Sequence, residues 1–299
     1  MNIVFFATPD FAIPALDAIL KSNHRVVAVV TNTDKEQGRG KKISFSPIKK
    51  FALENNLNLL QPEKFKDTKF IEELKLLDPD VFVVVAFKIL PKEVFTIPKY
   101  GSFNLHGSML PKYRGAAPIQ WSLINGDTET GLTTFFLKET VDTGNIILTK
   151  KITINNDDNF GSLHDKMSIA GANLVIETLD LISTNNFSPK AQDDSIASPA
   201  PKITKETCLI NPNKTATELH NLVRGLSPYP GAIIVHNGKS YKIYKTAINN
   251  TIKVNEGEIV TSKKEIFLGC KNSVLQILEI QPEGRKRMFA DEFLRGYKF

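Results

Sequence analysis

Residues 102–111 read SFNLHGSMLP, an extended run that ends in a turn. Alternate side chains of a β-strand point to the same side of the sheet, so we expect the Asn104 amide and the His106 imidazole to share one face. Gly, Ser and Pro follow at once and predict a turn. An amide and an imidazole where a buried strand ends indicate a ligand site. Alternatively, Asn104 and His106 are hydrogen-bonded core residues that only fix the turn.

On both sides of this strand, short apolar runs alternate with helix-like stretches. Four buried strands are predicted, at Asn2–Ala7, Val26–Thr31, Val81–Phe87 and Ser102–His106. Three helices are predicted between them, at Pro14–Lys21, Ser46–Asn55 and Asp67–Leu77. Ser46 is expected to cap the second helix, with Pro47 at its first position. The alternation predicts the α/β class, with a doubly wound, mostly parallel sheet whose ligand site lies beyond the carboxyl ends of the strands.

After residue 117 the pattern of predicted elements changes at one point, the segment 187–206. A helix at Pro118–Asn125, strands at Gly131–Lys138 and Asn145–Ile154 and a long helix at Ser162–Ile182 continue the first pattern. Residues 187–206 contain three prolines and few apolar side chains, which is typical of a linker. One helix-like segment and five short strand-like runs follow, a pattern that predicts a small, OB-like β-barrel. We therefore expect domains at 1–189 and 206–299, joined by a linker at 190–205.

Composition excludes several classes of protein. The 299 residues are 41% hydrophobic and 23% charged, which is ordinary for a globular protein and excludes a disordered or fibrous one. The longest unbroken apolar stretch, Val81–Phe87, is too short to span a bilayer, and the N-terminus lacks a basic segment typical of secretory signals. Cys208 and Cys270 form no CxxC pair, and the histidines have no metal-ligand spacing. We expect a cytosolic protein without a metal.

The positive charge is concentrated in the last third of the chain. Residues 1–200 carry 22 basic and 23 acidic side chains, a net charge of −1, whereas residues 201–299 carry 16 and 9, a net charge of +7. Such asymmetry indicates a module that faces a polyanion, with a merely soluble basic surface as the alternative.

Two further segments are candidates for function. Val141-Asp142-Thr143-Gly144 lies between two predicted strands and reads either as a hairpin turn or as part of a site. An aspartic protease would need two such carboxylates, so that class is rejected. Residues 37–53 contain five basic and no acidic residues, but the spacing does not match a phosphate-binding P-loop. A basic loop that follows a nucleic-acid backbone and a solvated surface loop both remain open.

Longer stretches carry a resemblance to a known family. The run NLHGSMLPKYRGAAPIQWSLINGDTETGLTTFFL, followed by VDTGNI, resembles the folate-dependent formyltransferases. The segments FFATPDFAIPAL, GRGKK with SPIK, and LQILEIQPEGRKRM are similar to the same family, so the likeness covers essentially the whole chain. The basic loop and the C-terminal domain select, within the family, the branch that acts on aminoacylated tRNA.

The resemblance implies a Rossmann-like catalytic domain and a reaction. A formyl group would pass from N10 of 10-formyltetrahydrofolate to the α-amino group of initiator methionyl-tRNA, for translation initiation. The implied catalytic residues are Asn104, His106 and Asp142; Asn104 and His106 would donate hydrogen bonds to the carbonyl oxygen as it becomes negative. Asp142 would hold His106 in its donating form and help a water remove the ammonium proton.

The family likeness also implies where the two substrates bind. The turn formed by Ser108, Met109, Leu110 and Pro111 would hold the folate, and the basic loop residues Arg39, Lys41 and Lys42 would contact the acceptor end of the tRNA. We expect a monomer with no membrane partner. Three alternatives differ from this interpretation: a glycinamide ribonucleotide transformylase, which typically lacks a second domain; a sugar-nucleotide formyltransferase, against which the basic charge argues; and a non-catalytic RNA-binding module.

Overall fold

A computed structural model describes residues 1–37, 42–185 and 187–297. These residues form two compact units. The first comprises residues 1–115, 131–152 and 164–199, and the second comprises residues 116–130, 153–163 and 200–299. Residues 116–130 and 153–163, which lie in the predicted first domain, thus group with the C-terminal residues. The compact units therefore differ from the domains that the change in composition predicts. The domain bounds drawn from the sequence stay a prediction.

The first unit is built on a seven-stranded sheet. The strands up to residue 153 are β1 (Asn2–Ala7), β2 (Arg25–Val30), β3 (Lys35–Gln37), β4 (Lys42–Ser44), β5 (Leu59–Leu60), β6 (Val81–Val85), β7 (Ser102–His106), β8 (Arg114–Gly115), β9 (Glu129–Phe136) and β10 (Ile146–Thr153). Of these, β3 and β4 form a separate small hairpin, and β8 pairs with a short strand at Pro199–Ala200. The order in the large sheet is β10-β9-β7-β6-β1-β2-β5. Strands β5, β2, β1, β6 and β7 run parallel, and β9 is antiparallel to β7. The predicted α/β class with a mostly parallel sheet is confirmed.

Helices cover both faces of this sheet. They are α1 (Ile13–Leu20), α2 (Pro47–Glu54), α3 (Thr68–Leu76), α4 (Lys92–Phe95) and α6 (Phe160–Thr184), whereas α5 (Pro118–Ile124) belongs to the second unit. On one face, Phe6 and Phe82 belong to a core that includes Leu74 of α3 and Val94 of α4. On the other face, α6 approaches β7 so closely that a Cβ on Gly171 would lie 2.7 Å from a methyl carbon of Leu105. The sheet is therefore doubly wound, as its alternating sequence predicts.

Two local rules explain where α2 begins. The Ser46 hydroxyl accepts a hydrogen bond from the Lys49 amide at 3.1 Å, which satisfies one of the free donors of the first turn of α2. Pro47 follows at the first helical position, as expected. No helix in the described part of the chain is long and apolar enough to cross a membrane.

The second unit contains an antiparallel sheet. The remaining elements of the chain are β11 (Pro199–Ala200), α7 (Ala216–Gly225), β12 (Ala232–His236), β13 (Lys239–Asn249), β14 (Ile259–Thr261), β15 (Ile266–Cys270), β16 (Ser273–Pro282), β17 (Met288–Phe289) and α8 (Ala290–Gly296). The sheet order is β12-β13-β16-β15-β14, with β17 paired to β16. Leu219 of α7 and Phe293 of α8 are fully buried in the core that includes Ile243 of β13. Five strands match the five predicted runs; β17 and α8 were not predicted.

Candidate active site

The site begins where β7 ends, near the centre of the large sheet. Asn104 lies between Val84 of β6 and Phe135 of β9 in the sheet register, and His106 lies opposite Thr133. Residues two apart in a strand share a face, so the amide and the imidazole lie on the same side. The Asn104 side chain makes no hydrogen bond to any residue that the structure describes, and it is partly exposed. Its donor and acceptor are therefore available to a ligand.

The His106 imidazole has one nitrogen engaged and one open. Its Nε2 lies 2.8 Å from the carbonyl oxygen of Tyr113. A carbonyl oxygen only accepts, so Nε2 carries the hydrogen and donates it. The other nitrogen, Nδ1, lies 3.7 Å from Oδ2 of Asp142, beyond hydrogen-bond distance. The ring is buried, with Phe135 in an edge-on contact at 6.4 Å between ring centroids. Nδ1 is thus the nitrogen that could contact a ligand.

Asp142 occupies a turn between β9 and β10 and reaches this strand through space. Its φ is +54°, a left-handed conformation that Asp tolerates better than most residues. Oδ2 accepts a hydrogen bond from the Gly115 amide at 2.9 Å, whereas Oδ1 has no hydrogen-bond partner among the described residues. The close approach of the turn to β9 requires Gly144, because a Cβ there would lie 1.5 Å from the Phe136 carbonyl oxygen. The structure brings all three predicted catalytic residues into one unit.

The turn after β7 is held by internal hydrogen bonds. The Ser108 hydroxyl donates to the Lys112 carbonyl oxygen at 2.6 Å, and the Thr133 hydroxyl donates to the Ser108 carbonyl oxygen at 2.7 Å. Thr133 in turn accepts from the Leu110 amide at 3.1 Å. Ser108 is fully buried, so its side chain serves the turn itself. The Met109 side chain is partly exposed beside the turn.

Two of the predicted tRNA-contact residues, Arg39 and Lys41, lie outside the described residues. Lys42 begins β4, in a short antiparallel hairpin with β3. This hairpin is not predictable from the sequence, because its strands are three residues long and mostly polar. A basic residue elsewhere in the same unit, Lys49, is mostly buried, with its Nζ 2.5 Å from Oδ2 of Asp34.

Other chemistries find little support. Burial raises the pKa of the Cys208 thiol and raises that of Cys270 to about 11, so neither is a ready thiolate nucleophile. Among the residues that the structure describes, no group of three His, Cys, Asp or Glu side chains could hold a metal ion. The polar centre at β7 therefore stands out as the candidate active site.

A doubly wound α/β fold with an amide, an imidazole and a carboxylate beside its central strand is typical of an enzyme that acts on a carbonyl group. Comparison with known families makes this specific: residues 1–179 match the formyl transferase model, and residues 202–298 match the model of the formyl transferase C-terminal domain. The chain belongs to the formyl transferase family.

Individual relatives cover the whole chain. A methionyl-tRNA formyltransferase of Flavobacterium johnsoniae is 45% identical over 305 residues, covering 100% of this chain and 97% of the relative. One from Thermodesulfovibrio yellowstonii is 47% identical over 298 residues, with 99% and 96% covered. Among solved structures, a sugar 3N-formyl transferase has a TM-score of 0.69 at 22% identity, with 96% of this chain and 99% of that chain covered. A methionyl-tRNA formyltransferase from Clostridium thermocellum has a TM-score of 0.58 at 17% identity, with 84% and 95% covered. These two structures support the fold.

The sequence also missed residues that complete the site. Tyr113 and Gly115 contact His106 and Asp142 through backbone atoms, which carry no sequence signal. Gln192 lies in the predicted linker and contacts the Asp142 turn. The polar, Pro-containing composition of that segment predicts a linker and does not indicate this contact. The left-handed φ values of +61° at Tyr113 and +126° at Gly115 give the segment its shape. The KYRG motif that contains both was the nearest available signal.

Proposed function

We propose that this enzyme transfers the formyl group of 10-formyltetrahydrofolate to the α-amino group of methionyl-tRNA. The observation that carries the proposal is the free Asn104 amide on the same strand face as His106, with Asp142 3.7 Å from the open imidazole nitrogen. Membership of the formyl transferase family supports the donor. Relatives that are 45–47% identical over the full chain and are named methionyl-tRNA formyltransferase support the acceptor.

Asn104 is proposed to stabilise charge on the formyl oxygen. Attack by the amine moves negative charge onto that oxygen, and a fixed donor aimed at it lowers the barrier. One such donor is typically worth about 3–4 kcal/mol. The Asn104 amide suits this role because no described residue competes for its hydrogens. A rigid place in a central strand keeps the donor oriented before the substrate arrives.

His106 is proposed to act through Nδ1. Since Nε2 donates to the Tyr113 carbonyl oxygen, Nδ1 can donate to the formyl oxygen only when the ring carries both hydrogens. The Asp142 carboxylate attracts the positive charge that such a ring bears. An imidazolium donor stabilises a developing oxyanion more strongly than a neutral donor does.

Asp142 is proposed to have a second role in removing a proton. The attacking amine becomes positively charged as the new C–N bond forms, and that proton must leave. Oδ2 of Asp142 accepts from the Gly115 amide. Oδ1 has no hydrogen-bond partner among the described residues, so a water can bind there. An α-amino group titrates near pH 8, so the amine is partly neutral at pH 7 and needs no strong base. A carboxylate that passes the proton through one water is sufficient. When the formyl oxygen re-forms its double bond, the bond between the formyl carbon and N10 breaks, and tetrahydrofolate leaves with a proton on N10.

We also propose how the two substrates are recognised. The turn of Ser108, Met109, Leu110 and Pro111 would hold the folate through its remaining backbone groups and the Met109 side chain. The basic loop residues Arg39, Lys41 and Lys42 and the positively charged second unit would contact the tRNA. The net charge of +7 over residues 201–299 supports that electrostatic role. A cytoplasmic monomer suits this reaction.

An acceptor comparison tests the proposal. The chain is incubated with 10-formyltetrahydrofolate and, in parallel, methionyl-tRNA, free methionine or an amino-sugar nucleotide, and N-formyl product is measured by mass spectrometry. Of the three acceptors, we expect only methionyl-tRNA to be formylated at a measurable rate. Formylation of the amino-sugar nucleotide with no reaction on methionyl-tRNA would contradict the proposal, and so would absence of product with all three acceptors.

A further inference from the structure

A segment of the predicted linker is bound to the first unit beside the candidate active site. We call residues 190–198 the strap. At one end, Lys190 and Ile146 exchange two backbone hydrogen bonds of 2.8 Å each. At the other end, the Ser198 hydroxyl accepts from the Tyr113 amide at 2.9 Å, and its carbonyl oxygen accepts from the Arg114 amide at 2.8 Å. The strap is therefore bound at one end to β10 and at the other to Tyr113 and Arg114, next to the carbonyl oxygen that accepts from His106.

Gln192 lies in the middle of the strap and binds in two directions. Its Nε2 donates to the carbonyl oxygens of Asp142 and Gly144, both at 2.8 Å. Its Oε1 accepts from Nε and Nη2 of Arg114 at 3.0 and 2.7 Å. Carbonyl oxygens only accept and a guanidinium only donates, so this orientation of the amide is the one that satisfies all four hydrogen bonds. A glutamine amide is the group that this position requires.

These contacts fix the backbone that aims the catalytic carboxylate. Asp142 is in the left-handed region, and Gln192 holds the carbonyl oxygen of Asp142 itself and that of Gly144, two residues later. Arg114 stands between Tyr113, which accepts from His106, and Gly115, which donates to Asp142. The Arg114 side chain is further held by Oδ1 of Asp194 at 2.6 Å. A single hydrogen-bonded network thus joins the strap to the supports of both His106 and Asp142.

We propose that Gln192 is a positioning residue for formyl transfer: together with Arg114, it holds the Asp142 turn so that the carboxylate faces His106. This inference rests on the proposed function. Gln192 does not itself contact the reacting atoms; it acts through Asp142. Loss of Gln192 should slow the chemical step, because the Asp142 carboxylate would no longer be aligned with His106. Substrate binding should persist, because both substrate sites are unchanged. Misplacement by about 1 Å can cost about a hundredfold in rate.

The test uses the near-isosteric change Gln192→Glu in the full chain. A carboxylate keeps the acceptor for Arg114 and removes the two hydrogens that hold Asp142 and Gly144. We expect kcat for methionyl-tRNA formylation to fall about tenfold or more, and the KM of each substrate to stay within twofold. A second variant, Arg114→Lys, removes the forked donor from the other side and should lower kcat in the same way.

A matched control separates positioning from loss of stability. Asn55→Asp also removes a side-chain donation to a backbone carbonyl oxygen, that of Phe51 at 2.9 Å, in the same unit. Its kcat should equal that of the unchanged chain. Melting temperatures of all variants are measured beside the kinetics. A role confined to stability would lower the melting temperature of Gln192→Glu and leave its kcat per folded molecule unchanged.

A double-mutant cycle with Asp142 decides the matter. If Gln192 acts through Asp142, Gln192→Glu should have no further effect on kcat in an Asp142→Asn background. Independent, multiplying effects would overturn the inference, as would a full kcat in both Gln192→Glu and Arg114→Lys. An unchanged chain that formylates no methionyl-tRNA would contradict the proposed function and this inference together, whereas an active chain with an unaffected Gln192→Glu variant would contradict the inference alone.

Discussion

The hydroxyl of Thr133 holds the turn that follows β7. It donates to the Ser108 carbonyl oxygen and accepts from the Leu110 amide, and it is fully buried. Water cannot replace it there, so removing this hydroxyl leaves two interior backbone groups without a partner. The proposed folate turn therefore depends on a side chain of the neighbouring strand β9.

Thr133→Val should lower the free energy of unfolding by about 2 kcal/mol or more, because the change keeps the shape and leaves two buried polar groups unpaired. Urea denaturation measures the loss. Thr130→Val on the same strand is the control: the Thr130 hydroxyl is buried without a hydrogen-bond partner in the described chain, so its removal should be neutral or stabilising. Equal losses in the two variants would contradict this account of the turn.

Single residues also show how far the sequence reaches. Alternation along β7 placed Asn104 and His106 on one face, because strand geometry repeats every two residues. Asp142 was found from its tripeptide and from the family likeness, and its approach to His106 depends on a left-handed backbone that sequence does not display. Gln192 was missed because a Pro-containing, polar segment predicts a linker, although its hydrogen bonds fix it to the first unit.

At the scale of elements, long apolar strands and capped helices were predictable, whereas short polar elements were not. Strands β1 and β7 have the predicted bounds, since buried parallel strands form continuous apolar runs. Helix α7 begins after Thr215, in a capping box with Glu218. Strands β3 and β4 show no periodicity to detect, because each is three residues long and mostly polar.

The packing of α7 on β13 includes a histidine, His220, whose Nδ1 lies 3.0 Å from the Thr246 hydroxyl oxygen. Burial, and then the positive charge of Arg224, lower the pKa of His220 below its ordinary 6.5. The unfolded chain therefore binds this proton at higher pH than the folded chain does. Stability is lost as the pH falls below about 6.5, until the folded state also takes up the proton.

His220→Gln should reduce this pH dependence. We expect the free energy of unfolding of the unchanged chain to fall between pH 7 and pH 5.5 and the variant to lose less over the same interval, because its side chain does not titrate. Urea denaturation at each pH gives both curves. His236→Gln, in the same unit, controls for the loss of one histidine. Parallel curves for the unchanged chain and His220→Gln would contradict the assignment.

At the scale of the whole molecule, charge is the property that composition predicted most directly. The excess positive charge lies in residues 201–299, and its basic side chains are mostly exposed. Examples are Lys205, Lys263, Lys264 and Arg285. Such side chains bind a phosphate backbone by releasing its counterions, so the affinity depends on salt. Sequence could not predict how the chain divides into compact units, because segments 116–130 and 153–163 join the C-terminal residues through tertiary contacts alone.

The affinity for methionyl-tRNA should fall at least tenfold or so between about 50 and 200 mM salt, because several phosphate contacts are lost together. Filter binding across a salt series measures the slope. The affinity for a folate ligand, measured by calorimetry in the same buffers, should change far less, since fewer charges are involved. An affinity for tRNA that does not vary with salt would contradict the electrostatic role of the second unit.

The most direct test of the central claim is the single-turnover rate of formyl transfer to methionyl-tRNA with both substrates saturating. We predict that Asn104→Ala, His106→Ala and Asp142→Ala each lower this rate by about a hundredfold or more, while the variants stay folded. The losses should combine less than multiplicatively in the His106→Ala, Asp142→Ala double variant, because the two side chains act as a unit. Variants that transfer the formyl group as fast as the unchanged chain would contradict the account.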